Sequence, residues 1–125
     1  MPSEERRKFP RLTLAMEDGY FGSFKLPDQQ DLIAPILNLS AGGLNMAVSK
    51  EAEAKISEGD ALMLKSLAGG TQLAFLSDIE AEIRWIREQN GQVYVGCNFN
   101  SLPEDVFQQL SRFVASERMA RGQYD

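Results

Sequence analysis

Ile79-Glu80-Ala81-Glu82-Ile83-Arg84-Trp85-Ile86 is the stretch that decides the fold class of this chain. Ile79, Ala81, Ile83 and Trp85 share one face of a period-two alternation, against Glu80, Glu82 and Arg84 on the other. That pattern belongs to a strand with one face in a core and one in water, and it assigns Trp85 to the core. Asn90-Gly91 follows, a strong signal for a two-residue hairpin turn. Val93, Val95, Cys97 and Phe99 then alternate along the returning strand.

Outward from this hairpin, most of the chain reads as strands. Short apolar runs at 12–16 and 20–26 are separated by Asp18-Gly19, a turn signal. The run at 31–39 contains Pro35, which marks an edge strand or a bulge. Leu44, Met46 and Val48 alternate with Asn45 and Ala47, residues 50–58 suit one helical turn or a loop, and a strand at 61–67 ends at Ala68-Gly69-Gly70. Beyond residue 100 the period changes. Ser101 and Glu104 stand at capping-box spacing, and Val106, Phe107, Leu110, Phe113 and Val114 recur at helical spacing.

Six or seven antiparallel strands with a C-terminal helix predict an all-β chain closed into a small barrel, because closure removes exposed edges. Oligonucleotide-binding and SH3-like barrels share that outline. The helix is expected to pack on the sheet or over one barrel mouth, and the tail from about Arg118 to fray.

Composition narrows the function. The 125 residues suit one domain, 1–125, with 43% hydrophobic and 25% charged residues. The net charge is −5, yet residues 1–11 carry four basic and two acidic groups. The remainder is therefore strongly acidic, which argues against binding a nucleic-acid polymer, since that needs a broad basic footprint. With no histidine and one cysteine, Ser-His or Cys-His nucleophiles are excluded and no intramolecular disulfide can form. Cys97 shares the apolar alternation face and reads as core. No catalytic residues and no metal-ligand cluster emerge, so the chain does not read as an enzyme. Neither a signal peptide nor a membrane-length apolar run is present; a reducing, cytoplasmic setting with no membrane insertion is the expectation.

Two short patches carry the chemistry. Arg6-Arg7-Lys8-Phe9-Pro10-Arg11 packs four cations into six residues and contains an Arg-x-x-x-Arg spacing, Arg7 to Arg11. Asn38-Leu39-Ser40-Ala41-Gly42-Gly43 is an Asn-x-Ser-x-x-Gly turn after an apolar run. Guanidinium groups offer forked donors for phosphate or a guanine Hoogsteen edge, and a flat face for stacking. Together the patches suggest a site for an anionic guanine nucleotide. The plainer readings are a solvated basic arm and an Asx or Ser turn closing a hairpin; a turn can also present a ligand.

Over residues from about Arg6 to Val114 the chain resembles the PilZ domain family of bacterial cyclic di-GMP receptors. Arg7 and Arg11 match the family's Arg-x-x-x-Arg motif, and Asn38, Ser40 and Gly43 its Asp/Asn-x-Ser-x-x-Gly motif. Gly59, Ile83-Arg84-Trp85 and Gly96 to Phe99 agree in order and spacing. The resemblance implies a six-stranded antiparallel β-barrel over 12–100, a C-terminal helix over 101–118, a tail at 119–125, and cyclic di-GMP on the outer barrel surface. It also implies that a flexible segment, 1–11, folds over the ligand. Arg7 and Arg11 would take phosphates and guanine O6/N7 edges, Asn38 and Ser40 the polar edges of one guanine, and Gly43 a close approach that a Cβ would obstruct.

Arg6, just before the motif, resembles the members that bind a stacked pair, so two ligands per protomer are expected, with Arg6 on the second. No cofactor is implied beyond this ligand. Signalling would run from the ordered N-terminal segment to a downstream partner protein that the sequence does not identify. A PilZ-like adaptor that binds no nucleotide is the second reading; such members usually lack the arginines present here.

Overall fold

The computed structural model describes residues 9–69 and 73–124. Seven strands follow in chain order: β1 (Leu12–Thr13), β2 (Phe21–Lys25), β3 (Asp31–Ser40), β4 (Gly43–Val48), β5 (Ala61–Ala68), β6 (Ile79–Gln89) and β7 (Gln92–Phe99). A one-turn helix, α1 (Lys50–Glu53), separates β4 from β5, and a long helix, α2 (Glu104–Ala120), closes the chain. All pairings are antiparallel. The order β3-β2-β5-β6-β7-β4 returns to β3 through the β3–β4 pairing, which closes a six-stranded barrel with β1 as an extra strand. The expected barrel and terminal helix are therefore observed.

Strand β3 does the closing because it is long enough to serve three neighbours. Its first half pairs with β2 from Asp31 to Pro35, while its second half takes β1 on the same edge and β4 on the other. Pro35 is tolerated because pairing with β4 begins only at Ile36, so the missing N–H leaves no ladder bond broken.

Inward-pointing residues fill the barrel. Leu12, Leu39, Met46, Leu64, Ala81 and Val95 have no solvent exposure, and fully burying side chains of the larger kinds contributes about 1.5–3 kcal/mol each. Cys97 is part of this core, as its position in the alternation predicts. Burial pushes its thiol up to about 12, so it stays protonated at neutral pH and is a packing residue.

Helix α2 covers the end of the barrel near β1 and β3, burying Leu110, Phe113 and Val114. The rings of Phe113 and Tyr20 meet at 6.4 Å. No capping box forms: Pro103 is the N-cap and Ser101 sits at φ 52°. A proline disfavours helical geometry in the residue before it, which excludes Leu102 and moves the start past Ser101. At the other end the helix continues to Ala120, and residues 121–124 are tied to the barrel rather than frayed.

Candidate functional site

Two β-bulges set which side chains reach the outer surface between β3 and β6. Along β3, Ile36 pairs with Met46 and Asn38 with Asn45, so Leu37 is an extra residue. Ile36 and Leu39 stay inward while Asn38 and Ser40 turn outward. Along β6, Ile83 pairs with Cys97 and Trp85 with Gly96, which makes Arg84 the extra residue. Ile86 takes the inward position opposite Val95, and Trp85 swings out. The sequence expectation of a core Trp85 is thus corrected: the bulge reverses the alternation immediately before it.

The registers then line up. Asn38 lies opposite Asn45, Asn45 opposite Gly96, and Gly96 opposite Trp85. These four form one outer-face row across β3, β4, β7 and β6, with strands about 4.8 Å apart. The neighbouring row runs Ser40, Gly43, Asn98 and Glu82. Gly96 is required by the first row, because a Cβ there would stand 2.2 Å from Trp85 Cε2. The indole lies in the space that a side chain would take, and the Arg87 guanidinium sits over its ring at 4.7 Å from the centroid, a cation–π geometry.

Apart from Glu82, these rows floor a cleft of about 730 Å³ whose lining includes Arg11, Asn38, Asn45, Trp85, Arg87 and Asn98. Arg11, Arg84 and Arg87 all reach it, and its described lining contains no carboxylate, in a chain whose net charge is −5. Arg84 lies 3.8 Å from Glu82 in an exposed pair, which water screens heavily. The cleft is therefore locally positive, which favours an anion there.

Each sequence-predicted residue has a definite standing. Arg11, Asn38, Ser40 and Gly43 are brought together on the cleft. Arg6 and Arg7 lie outside the described residues. Ser40, 8% exposed, accepts a hydrogen bond from Gly42 N–H at 3.0 Å, so the Ser turn that closes this hairpin is real, and its own hydroxyl proton remains available to donate. Gly43 has a structural cause of its own. A Cβ there would lie 2.0 Å from the Cys97 carbonyl oxygen, so the close approach is between β4 and β7. Phe9 anchors the segment carrying Arg11: its ring lies against Gly42 and meets Phe107 of α2 edge-on at 5.7 Å.

Trp85, Arg84, Arg87, Asn45 and Asn98 were not singled out as cleft residues. A signal for Trp85 does exist. Counting back from the Asn90-Gly91 turn, which pairs Gln89 with Gln92, opposes even-numbered residues of β6 to the inward Val93, Val95 and Cys97. The inward Ile79, Ala81 and Ile83 are odd-numbered. The two patterns are out of phase, and one extra residue is the remedy.

Comparison with known proteins agrees with the fold. The family model described as PilZ domain matches residues 5–116. No curated protein matches the chain. Among solved structures, the PilZ domain of YcgR from Escherichia coli with c-di-GMP superposes with a TM-score of 0.77 at 24% identity, covering 94% of this chain and 96% of that one. The structure of YcgR from Escherichia coli in complex with c-di-GMP gives 0.72 at 25% identity, covering 94% and 49%. The K. pneumonia MrkH–c-di-GMP complex gives 0.76 at 15% identity, covering 94% and 54%. The chain spans about half the length of these last two.

Proposed function

This chain belongs to the PilZ domain family, and from that premise we propose that it is a receptor for cyclic di-GMP that acts on a downstream protein. The observation that carries the reading is the cleft. Arg11, Asn38 and Ser40 of the two motifs meet there with the ring of Trp85, and Arg11, Arg84 and Arg87 line it with no carboxylate in its described lining. Cyclic di-GMP presents two phosphates and two guanines. Arg7 and Arg11 supply charge-assisted donors for phosphate and for guanine O6/N7, Asn38 and the Ser40 hydroxyl reach a guanine edge, and Trp85 offers a stacking face.

The protein's part is recognition, without a chemical step. Arg6 contacts a second, stacked ligand, giving two per protomer. Binding acts through the N-terminal segment, residues 1–11, which folds over the ligand and alters the surface shown to a partner in the cytoplasm; ligand-slowed amide exchange across that segment is the corresponding readout. No helix among the described residues is long and apolar enough to cross a membrane.

Isothermal titration of cyclic di-GMP into the wild type, Arg7→Ala and Arg11→Ala, with GTP as control, tests this reading. A charged hydrogen bond contributes about 1.5–3 kcal/mol, so either variant should lose at least about tenfold in affinity. Saturation at two ligands, reduced in Arg6→Ala, supports the stacked pair, and saturation at one removes it. A folded wild type that gives no heat overturns the receptor reading and leaves the nucleotide-free adaptor.

A further inference from the structure

Gln123 stands 110 residues from Thr13 in sequence, yet its side-chain amide makes both hydrogen bonds of a neighbouring strand residue. Thr13 N–H donates to Oε1 at 2.9 Å, and Nε2 donates to the Thr13 carbonyl at 2.9 Å. On its other edge β1 is held by β3, where Leu14 N–H donates to the Leu37 carbonyl at 2.9 Å. A two-residue strand is too short to hold itself, so the amide completes its pairing.

The tail is built to deliver that amide. Helix α2 ends in a Schellman arrangement: Gln123 N–H donates to the Arg118 carbonyl at 2.7 Å and Gly122 N–H to that of Met119 at 3.2 Å, with Gly122 at φ 70°. Arg118 Nε donates back to the Gln123 carbonyl at 3.1 Å. A second point of attachment lies two residues earlier. Arg121 bridges Asp18 at 3.0 Å and Glu117 at 3.2 Å, and Asp18 also accepts from Ala15 N–H at 2.7 Å. The Ala15 N–H first, and Arg121 second, hold the Asp18 carboxyl below its ordinary range.

The residue so held lies between the two ligand motifs. Thr13 is directly opposite Asn38 in the register, and Arg11 precedes it by two residues. Gln123 and Arg121 do not line the cleft. We infer that the C-terminal tail is a positioning clasp for the ligand site, with Gln123 holding β1 so that Arg11 and Asn38 address one ligand together; this rests on the cyclic di-GMP reading. By thermodynamic reciprocity, what the clasp does for the ligand the ligand does for the clasp.

The experiment titrates cyclic di-GMP into wild type, Gln123→Ala and Gln123→Glu, and follows unfolding and Thr13 amide exchange in each. With the equivalent of one ordinary hydrogen bond felt at the ligand, Gln123→Ala should bind about three- to tenfold more weakly. Gln123→Glu keeps an acceptor for Thr13 N–H but sets a carboxylate oxygen against the Thr13 carbonyl, so it should weaken binding at least as much as Gln123→Ala. In the wild type, Thr13 exchange should slow on saturation by more than it does in Gln123→Ala. A tail that is structural only would lower the unfolding midpoint and leave the affinity of the folded protein unchanged, which overturns the clasp while the receptor reading stands. A wild type that binds no cyclic di-GMP overturns both, and is seen before any tail variant is compared.

Discussion

The hairpin joining β3 to β4 and the hairpin joining β6 to β7 reach the same cleft from opposite sides, by different means. In the first, the turn itself meets the cleft. Ser40, Ala41 and Gly43 are buried, the Ser40 hydroxyl holds Gly42 N–H, and Phe99 N–H donates to the Gly42 carbonyl at 2.9 Å. In the second, the Asn90-Gly91 turn is exposed and remote, and the cleft residues sit mid-strand, where Arg84 bulges and Trp85 emerges. One hairpin presents its residues through a rigid corner locked to β7, the other through a bulge within an extended ladder. A corner tolerates no added volume, whereas a bulge can be re-aimed without loss of the barrel.

Substitutions in each place should separate these behaviours. Gly43→Ala should have the largest effect, because its Cβ would meet the backbone carbonyl of Cys97 at 2.0 Å and no rotamer can relieve that clash. A loss of about 3 kcal/mol is expected, at the upper end of overpacking costs, measured by urea unfolding. Survival with wild-type stability would mean that β4 and β7 can separate, and the corner is not rigid. Trp85→Leu should leave the barrel folded and weaken cyclic di-GMP binding about tenfold, in the range for loss of one base–aromatic stack. Unchanged affinity would detach the bulge from the site. Asn90→Ala should matter least. Its φ of 54° suits asparagine better than alanine, so stability should fall by about 0.5–1 kcal/mol, with titration showing unaltered affinity.

The same contrast explains what the amino-acid order made legible. Strand alternation, the Asn-Gly turn and the helical period of Val106 to Val114 are local signals, and each appears in the fold. Asn38 and Ser40 were found through their motif, without knowledge of the Leu37 bulge that turns Asn38 outward; within the apolar run 31–39 nothing in the alternation betrays that bulge. Trp85 reads as core by alternation with Ile83, but the Arg84 bulge breaks that alternation, and the phase conflict with β7 is its signal. The helix start was displaced by Pro103, a steric restriction that outweighs the capping pattern. The Gln123–Thr13 pairing had no local signature, since a side-chain amide standing in for a strand joins opposite ends of the chain.

Trp85 is also the chain's one tryptophan. Its indole rests on Gly96 beneath Arg87 at the centre of the cleft. The protein's tryptophan emission therefore originates inside the cleft, and on the cyclic di-GMP reading entry of a guanine would quench or shift it. On that reading the native molecule would carry its own optical gauge of occupancy, readable without dye or tag.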